Sequence, residues 1–360
     1  MSARLGLAGA LLCLNSAFAV PLVAPANVFY AGAGGVDCFR IPAIVQTAAG
    51  VLVAFAEARH GSCGDGAVHE IAMRRSSDGG ATWLPKDNVT FVVGSASMPL
   101  GNPAAVYDSV RDRIVLIYTH IPYLKTTGVI FSTDDGESWS EPTVVDFGAA
   151  NGSLCGPGTA TQSDSGRLLV PSHHGAYDFD LVTYSDDGGE TWTTIEQTFP
   201  KMDEAAITQL PNGSLLLAMR HQDTPTLGRA LTRSDDDGAS FSEISYGGAA
   251  WLAPVCQGSL VSFDGATYYS SPTCRPSCSR ANLTVFKSTD SAASWAAQLL
   301  VYAPPSAGYS CLVHGRLLKS QLANLSATRE AEGGVLYEAS ESGSIAFSRF
   351  PVNFPKRRSF

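Results

Sequence analysis

SDDGGETW, at residues 185–192, decides how this chain folds, because variants of it recur: SSDGGATW at 76–83, STDDGESW at 132–139, SDDDGASF at 234–241 and STDSAASW at 288–295. Their first serines lie 56, 53, 49 and 54 residues apart. A period near 50 is that of propeller blades, each a small sheet of four strands. Four strands with their turns use roughly 10–13 residues apiece, which fills the period. The octapeptide has the chemistry of a hairpin tip: Ser and Asp side chains bond nearby amides, and Gly takes a positive φ without a clash. Its closing aromatic (Trp83, Trp139, Trp192, Phe241, Trp295) is expected to fold back onto the apolar interior of its own blade. A calcium loop of the D-x-D-x-D-G type needs alternating oxygen ligands and a glutamate six residues after its Gly, and no copy meets that rule. The boxes therefore read as scaffold. In the fifth, Ala292 stands where Gly is expected, which predicts a distorted turn.

Outside the boxes, the first nineteen residues read as a signal peptide: Arg4 precedes the apolar run LGLAGALLCL, and Ala17-Phe18-Ala19 matches a small-x-small cleavage site. No later segment reaches 18 apolar residues, so no membrane anchor is expected. Residues 20–360 then form one secreted or lumenal domain, a lysosomal location included, with PLVAPANV and PKRRSF as loose tails. The formal charge is −9, but eleven of the 33 acidic residues sit in the boxes, so much of the acidity is turn chemistry. Nothing resembles a basic stripe, which argues against nucleic acid. Without Cys13, seven cysteines remain, an odd number in a setting that favours disulfides. Cys274-Arg-Pro-Ser-Cys278 reads as a local disulfide rather than a zinc half-site, since no second half exists. Sequons at Asn88, Asn151, Asn212, Asn282 and Asn324 fit a secreted chain.

Between the boxes, charges stand where strands should be plain. Arg40 precedes an apolar strand in CFRIPAIVQ, and Glu57 and Arg59 end the next strand. A glycine-rich loop holds Asp65. In MDEAAITQLPNGSLLLAMRHQ, Glu204 opens one arm of a hairpin and Arg220 closes the other. Arg280 precedes a strand, Tyr309 lies in PPSAGYSCL, and Glu338 ends a strand in GGVLYEAS. Singly, each reads as a surface charge or a packed aromatic. A propeller, however, gathers equivalent strand ends around one axis, and three arginines meeting there need an anion or nearby acids to offset them. A carboxylate bound by arginine is the natural occupant. His173 and His174 face opposite ways on a strand and read as structural or solvent-facing, not as a metal pair.

FRIP at 39–42, the five boxes, Glu204 with Arg220, Arg280 before NLTV, GYS around Tyr309 and LYE at 336–338 together resemble the sialidases (neuraminidases), over essentially the whole mature chain. The resemblance implies an all-β fold, a six-bladed β-propeller of four-stranded antiparallel blades. With five boxes for six blades, the last blade is expected to close with strands from both chain ends. It implies a retaining exo-α-sialidase acting as a monomer on sialylated glycoproteins, glycolipids or oligosaccharides, with no cofactor and no metal. Arg40, Arg220 and Arg280 match the triad that grips the sugar carboxylate, and Glu338 matches the acid that steadies the first of them. Asp65 matches the acid/base catalyst, Tyr309 the nucleophile and Glu204 its base, while Arg59 matches a further arginine near a sugar oxygen substituent. Arg275, five residues before Arg280, is the alternative third arginine. Cys38 beside Arg40 and Cys63 beside Asp65 suggest a disulfide bracing both loops.

A tyrosine nucleophile suits this substrate class. The anomeric carbon of sialic acid carries a carboxylate, which would repel an anionic nucleophile at about 3 Å; a neutral phenol with a neighbouring base avoids that repulsion. Two alternatives share the residues: a trans-sialidase or hydrolase of a related nonulosonic acid, and a non-catalytic propeller that binds sialoglycans. The presence of Asp65, Glu204 and Tyr309 together favours catalysis.

Overall fold

The structure, a computed structural model, describes residues 25–353 apart from 95–98, 122–125, 148–152, 176, 223–227, 252, 274–279, 296, 304–307, 316–331 and 341–342. The signal segment, the PKRRSF tail, Arg275, the Cys274–Cys278 pair and the sequons at Asn151 and Asn324 lie outside the described residues.

Runs rich in β-branched and aromatic residues between the boxes form the strands, as in RIVLIYTH at 113–120, whose interior is buried throughout. The strands assemble into six sheets, one per blade. Blade 1 is Cys38–Gln46, Leu52–His60, Val68–Ser76 and Thr90–Val93. Blade 2 is Leu100–Asp108, Arg113–His120, Thr127–Ser132 and Thr143–Val145. In blade 3 the first strand is broken into short pieces at Ser153–Cys155 and Thr161–Gln162, and between them Gly158–Thr159 pairs in parallel with the first strand of blade 2. Leu168–His174, Phe179–Ser185 and Thr193–Thr194 complete that blade. Gly156, Pro157 and Gly158 fall at the break, where Pro has no N–H to donate. Blade 4 is Met202–Gln209, Leu215–His221, Ala230–Ser234 and Ser245–Tyr246. Blade 5 is Ser259–Phe263, Ala266–Ser271, Leu283–Ser288 and Ala297–Tyr302.

Blade 6 joins Ser310–Gly315, Glu332–Ser340 and Ser344–Pro351 to Ala26–Phe29, which pairs antiparallel with Ser344–Pro351. The last blade thus closes with strands from both ends of the ring, as expected. Ala26–Phe29 is an edge strand rather than part of a loose tail, with Val28 and Phe29 wholly buried. The same closure explains why five boxes serve six blades: a box is the hairpin between third and fourth strands, and in blade 6 no chain connects those two. First strands neighbour one another around the axis, and each of six apolar clusters fills one joint between adjacent blades.

Every box folds alike. In the first, Ser76 Oγ donates to Asp78 Oδ1 at 2.7 Å and accepts from Gly80 N at 2.8 Å, while Thr82 donates to Asp78 from both its amide (2.9 Å) and its hydroxyl (2.6 Å). The fifth box has the same set around Ser288 and Asp290, so its turn is not distorted. Ser291 and Ala292 adopt φ of 52° and 62°, the left-handed region that Gly79 and Gly80 occupy in the first box. Hydrogen bonding holds the turn in place, and Ala292 carries the strain.

The box aromatics do not fold onto their own blades; they fill the joint with the preceding one. Trp139 meets Phe55 of blade 1 edge-on at 5.7 Å, and Trp83 meets Phe347 of blade 6 at 5.4 Å. A basic side chain clasps each of four joints from the preceding blade: Arg75 reaches Asp135 O (2.6 Å), Arg113 Gly188 O (3.0 Å), Arg167 Asp237 O (3.0 Å) and Arg233 Ser291 O (2.9 Å). Between blades 5 and 6, where no box exists, Lys287 donates instead to Val352 O at 2.6 Å.

Candidate active site

At one end of the axis the first strands of blades 1, 2 and 4 break register at equivalent points: Arg40/Ala43, Gly101/Ala104 and Asp203/Ala206. Each break contains a residue at positive φ: Ile41 at 58°, Asn102 at 51° and Glu204 at 34°. Such bulges turn side chains that would alternate between blade faces toward the axis. For a β-branched residue like Ile41 this conformation is strained, at a cost on the order of 1–3 kcal/mol.

Two glutamates on second strands cap these bulges from the neighbouring blade. Glu338 accepts from Ile41 N at 3.0 Å and from Tyr309 N at 3.1 Å. Glu57 accepts from Asn102 N at 2.8 Å. Each also holds an arginine. Arg40 meets Glu338 through two bonds, 3.0 and 3.3 Å, and Arg59 meets Glu57 Oε2 at 2.9 and 2.6 Å. The Glu338 charge and hydrogen bond overcome burial and raise the Arg40 guanidinium further above its ordinary value, so it stays cationic.

The resulting cleft, about 290 Å³, is lined by Arg40, Arg59, Asp65, Glu204, Arg220, Arg280 and Tyr309. These are seven of the eight sequence-predicted site residues; Glu338, the eighth, lies behind Arg40. Tyr309, only 7 % exposed, is at the centre. Its hydroxyl donates to Glu204 Oε1 and accepts from Arg220 at 3.2 Å, while Arg220 also pairs with Glu204 Oε2. The guanidiniums of Arg40 and Arg280 lie 5.3 and 5.5 Å from the Tyr309 ring centre, within cation–π reach. Arg280 Nη2 donates to Val255 O at 2.9 Å. Burial and the Glu204 charge, against the pull of Arg220, push the Tyr309 phenol well above its ordinary value, so it is neutral and needs a base to react.

Asp65 stands on the rim, its side chain 85 % exposed, with Arg59 at 2.9 Å and Arg40 at 3.4 Å. Partial burial opposes its ionisation, but the Arg59 hydrogen bond and the two arginine charges outweigh it and hold the carboxyl below its usual range. The Asp65 loop is tied down by the Cys38–Cys63 disulfide, as expected, and by Arg59 donating to Cys63 O at 2.5 Å. Among the described residues Cys155, Cys256 and Cys311 are free and buried.

Sequence reasoning named Glu57 only in passing and missed Asp203, Asn102 and Tyr177, which also line the cleft. A signal for the first strands was available: RIPA at 40–43, GNPA at 101–104 and DEAA at 203–206 are one repeated step. His173 is buried in the cleft wall, whereas His174 stacks on Phe179 and contacts Asp178 at 3.2 Å.

A family described as a BNR repeat-like domain matches residues 46–317. A sialidase of Bacteroides fragilis is 28% identical over 330 residues, covering 79% of this chain and 59% of that protein. An exo-alpha-sialidase of Arthroderma benhamiae is 27% identical, with 64% of this chain and 61% of its own length covered. The chain thus spans about three fifths of the length of these relatives. Among solved structures, a Hadza microbial sialidase superposes with a TM-score of 0.74 at 24% identity, covering 88% of this chain and 66% of that one. A leech intramolecular trans-sialidase complexed with 2,7-anhydro-Neu5Ac gives 0.75 at 19% identity, covering 92% and 70%. At these identities the structural likeness speaks to the fold.

Proposed function

The chain belongs to the sialidases of the BNR repeat-like family, and from that premise we propose that it is a secreted or lumenal exo-α-sialidase releasing terminal sialic acid from glycoconjugates with retention. The observation that carries this reading is the buried Tyr309 hydroxyl, bonded to Glu204 and set among Arg40, Arg220 and Arg280. Three cations around a neutral phenol suit a substrate whose carboxylate adjoins the carbon under attack.

In this mechanism the sugar carboxylate lies on Arg40, Arg220 and Arg280, with Glu338 fixing the plane of Arg40. Tyr309 Oη attacks the anomeric carbon as Glu204 takes its proton. Asp65 protonates the leaving oxygen, then removes a proton from the water that attacks the glycosyl-tyrosine; Glu204 returns its proton to the phenolate. Such acid–base help is worth about 10²–10⁴ in rate. Asp65 is held ionised in the free protein, but a bound carboxylate offsets the Arg40 charge beside it and raises its proton affinity as substrate arrives. Arg59 stands ready for a sugar oxygen substituent. The disulfide suits an oxidising compartment.

Incubating the protein with a fluorogenic α-sialoside tests this reading. Release of sialic acid is expected, with kcat falling by about 10³ or more in Tyr309→Phe; no release, or full activity in the variant, refutes it. Transfer is the second reading, since the same fold carries it in the leech intramolecular trans-sialidase. A parallel sample with lactose separates the two, since a sialylated lactose product identifies transfer to an acceptor and a 2,7-anhydro product identifies internal transfer.

A further inference from the structure

Behind Arg220 lies an acidic cluster that the mechanism above does not use. Asp203 precedes Glu204 in the same bulge and is wholly buried. Its Oδ2 is 3.3 Å from Arg220 Nε and accepts from Gln222 Nε2 at 2.8 Å. Its Oδ1 has no hydrogen-bond partner among the described residues and faces His173 Nε2 at 3.6 Å. Asp180, on the neighbouring strand of blade 3, is also wholly buried, with neither carboxyl oxygen hydrogen-bonded among the described residues. The groups facing Asp203 are thus Glu204, Arg220 and Gln222 of its own blade and His173 and Asp180 of blade 3. Arg229 acts on Asp180 from blade 4, and Tyr309 of blade 6 reaches the cluster through Glu204.

We propose that Asp203 is a positioning residue that acts through Arg220: its carboxyl sits behind the guanidinium, and its proton sets how firmly Arg220 holds a substrate carboxylate. The inference rests on the sialidase reading and deepens it. Arg220 already faces Glu204 on the cleft side. A second negative charge at Asp203 leaves two anions around one cation and weakens its attraction for a third. When Asp203 carries a proton, Arg220 regains that attraction.

The surroundings make this proton easy to keep. Burial, then the Glu204 charge, push Asp203 up to about 7, with Arg220 pulling the other way. Burial pushes the His173 imidazole down to about 4, so it is neutral when Asp203 titrates and brings no competing charge. Burial and the charges of Asp203 and Glu204 keep Asp180 protonated well above the ordinary carboxyl range. Burial and the Glu204 charge thus bring the ionisation of Asp203 up toward neutrality.

The test measures two quantities from pH 5.5 to 8.5: KM for the α-sialoside, and Kd for free sialic acid by calorimetry. In the wild type both are expected to rise by about fivefold as Asp203 ionises, the low end of typical coupling between sites. In Asp203→Asn both should stay at the low-pH value, with kcat changed less than KM. His173→Gln supplies a second variant should the first not fold: an amide that can donate to Asp203 stabilises its charge, so the rise is expected at lower pH. Unchanged pH profiles in the folded variants overturn the proposal, as does a change confined to kcat. A wild type that binds sialic acid with this profile but turns over no sialoside refutes hydrolysis and leaves the Asp203 assignment standing.

Discussion

Gly308, next to the proposed nucleophile, shows how closely this site is built. A Cβ there would lie 1.7 Å from Glu338 Oε2, so only glycine lets Glu338 reach both the Tyr309 amide and Arg40. Gly308→Ala is expected to push Glu338 off Arg40. A displacement of this kind costs on the order of 10²-fold in kcat/KM for the sialoside; a variant within threefold of wild type would show that Glu338 is not needed to fix Arg40. The same residues explain what the sequence made legible. Arg40, Arg220, Tyr309 and Glu338 stand out because charge or hydroxyl at an apolar strand end is conspicuous. Glu57 and Asp203 look like ordinary strand-end acids, and only the bulges, which no composition reveals, bring their buried partners to them.

At the scale of the element, the boxes were readable as turns, but their destination was not. A side chain's neighbour across a joint depends on the stacking of blades, so Trp139 and Trp83 could be placed only once blades 1 and 6 were beside them. Ala292 permits a sharp check on box strain. Left-handed φ costs a non-glycine residue about 1–2 kcal/mol, and glycine's extra unfolded freedom returns part of it. Ala292→Gly is therefore expected to stabilise the protein by about 0.5 kcal/mol in urea melts. Gly80→Ala should do the reverse by more than about 2 kcal/mol, because its Cβ would stand 2.2 Å from the Phe347 ring. The box carboxylates also set an acid limit. Hydrogen bonds from Ser294 and Ser288 hold Asp290 at about 2, and those centred on Ser240 hold Asp236 there too. Because the folded values are depressed, their contribution is present above pH about 4 and is lost as pH falls toward 2. Melting temperature should decline over that window, and less steeply in Asp290→Asn; parallel curves would refute the assignment.

For the whole molecule, the period of about fifty residues pointed to propeller blades, and the resemblance to sialidases supplied their number and with it the expected two-ended closure. The broken first strand of blade 3 was not foreseen, since its pieces are too short to carry a pattern. Closure places a distinct load on Ala26–Phe29, which seals the ring by pairing rather than by covalent continuity. Removing residues through Phe29 exposes the sites of two wholly buried side chains, Val28 and Phe29, and should cost about 3–6 kcal/mol. A truncated protein that melts with the full chain would show that blade 6 does not need its outer strand. The missing box has a further meaning. Pro351 and Ala26 stand where every other blade has a hairpin, and Lys287 still clasps the backbone at Val352 as an arginine does at a box. The ring thus has six interchangeable places to start and stop, of which this chain uses one. A circular permutant, with an octapeptide of box sequence linking blade 6 to Ala26 and new termini opened at any of the five existing boxes, should wind into the same propeller and carry the same cleft.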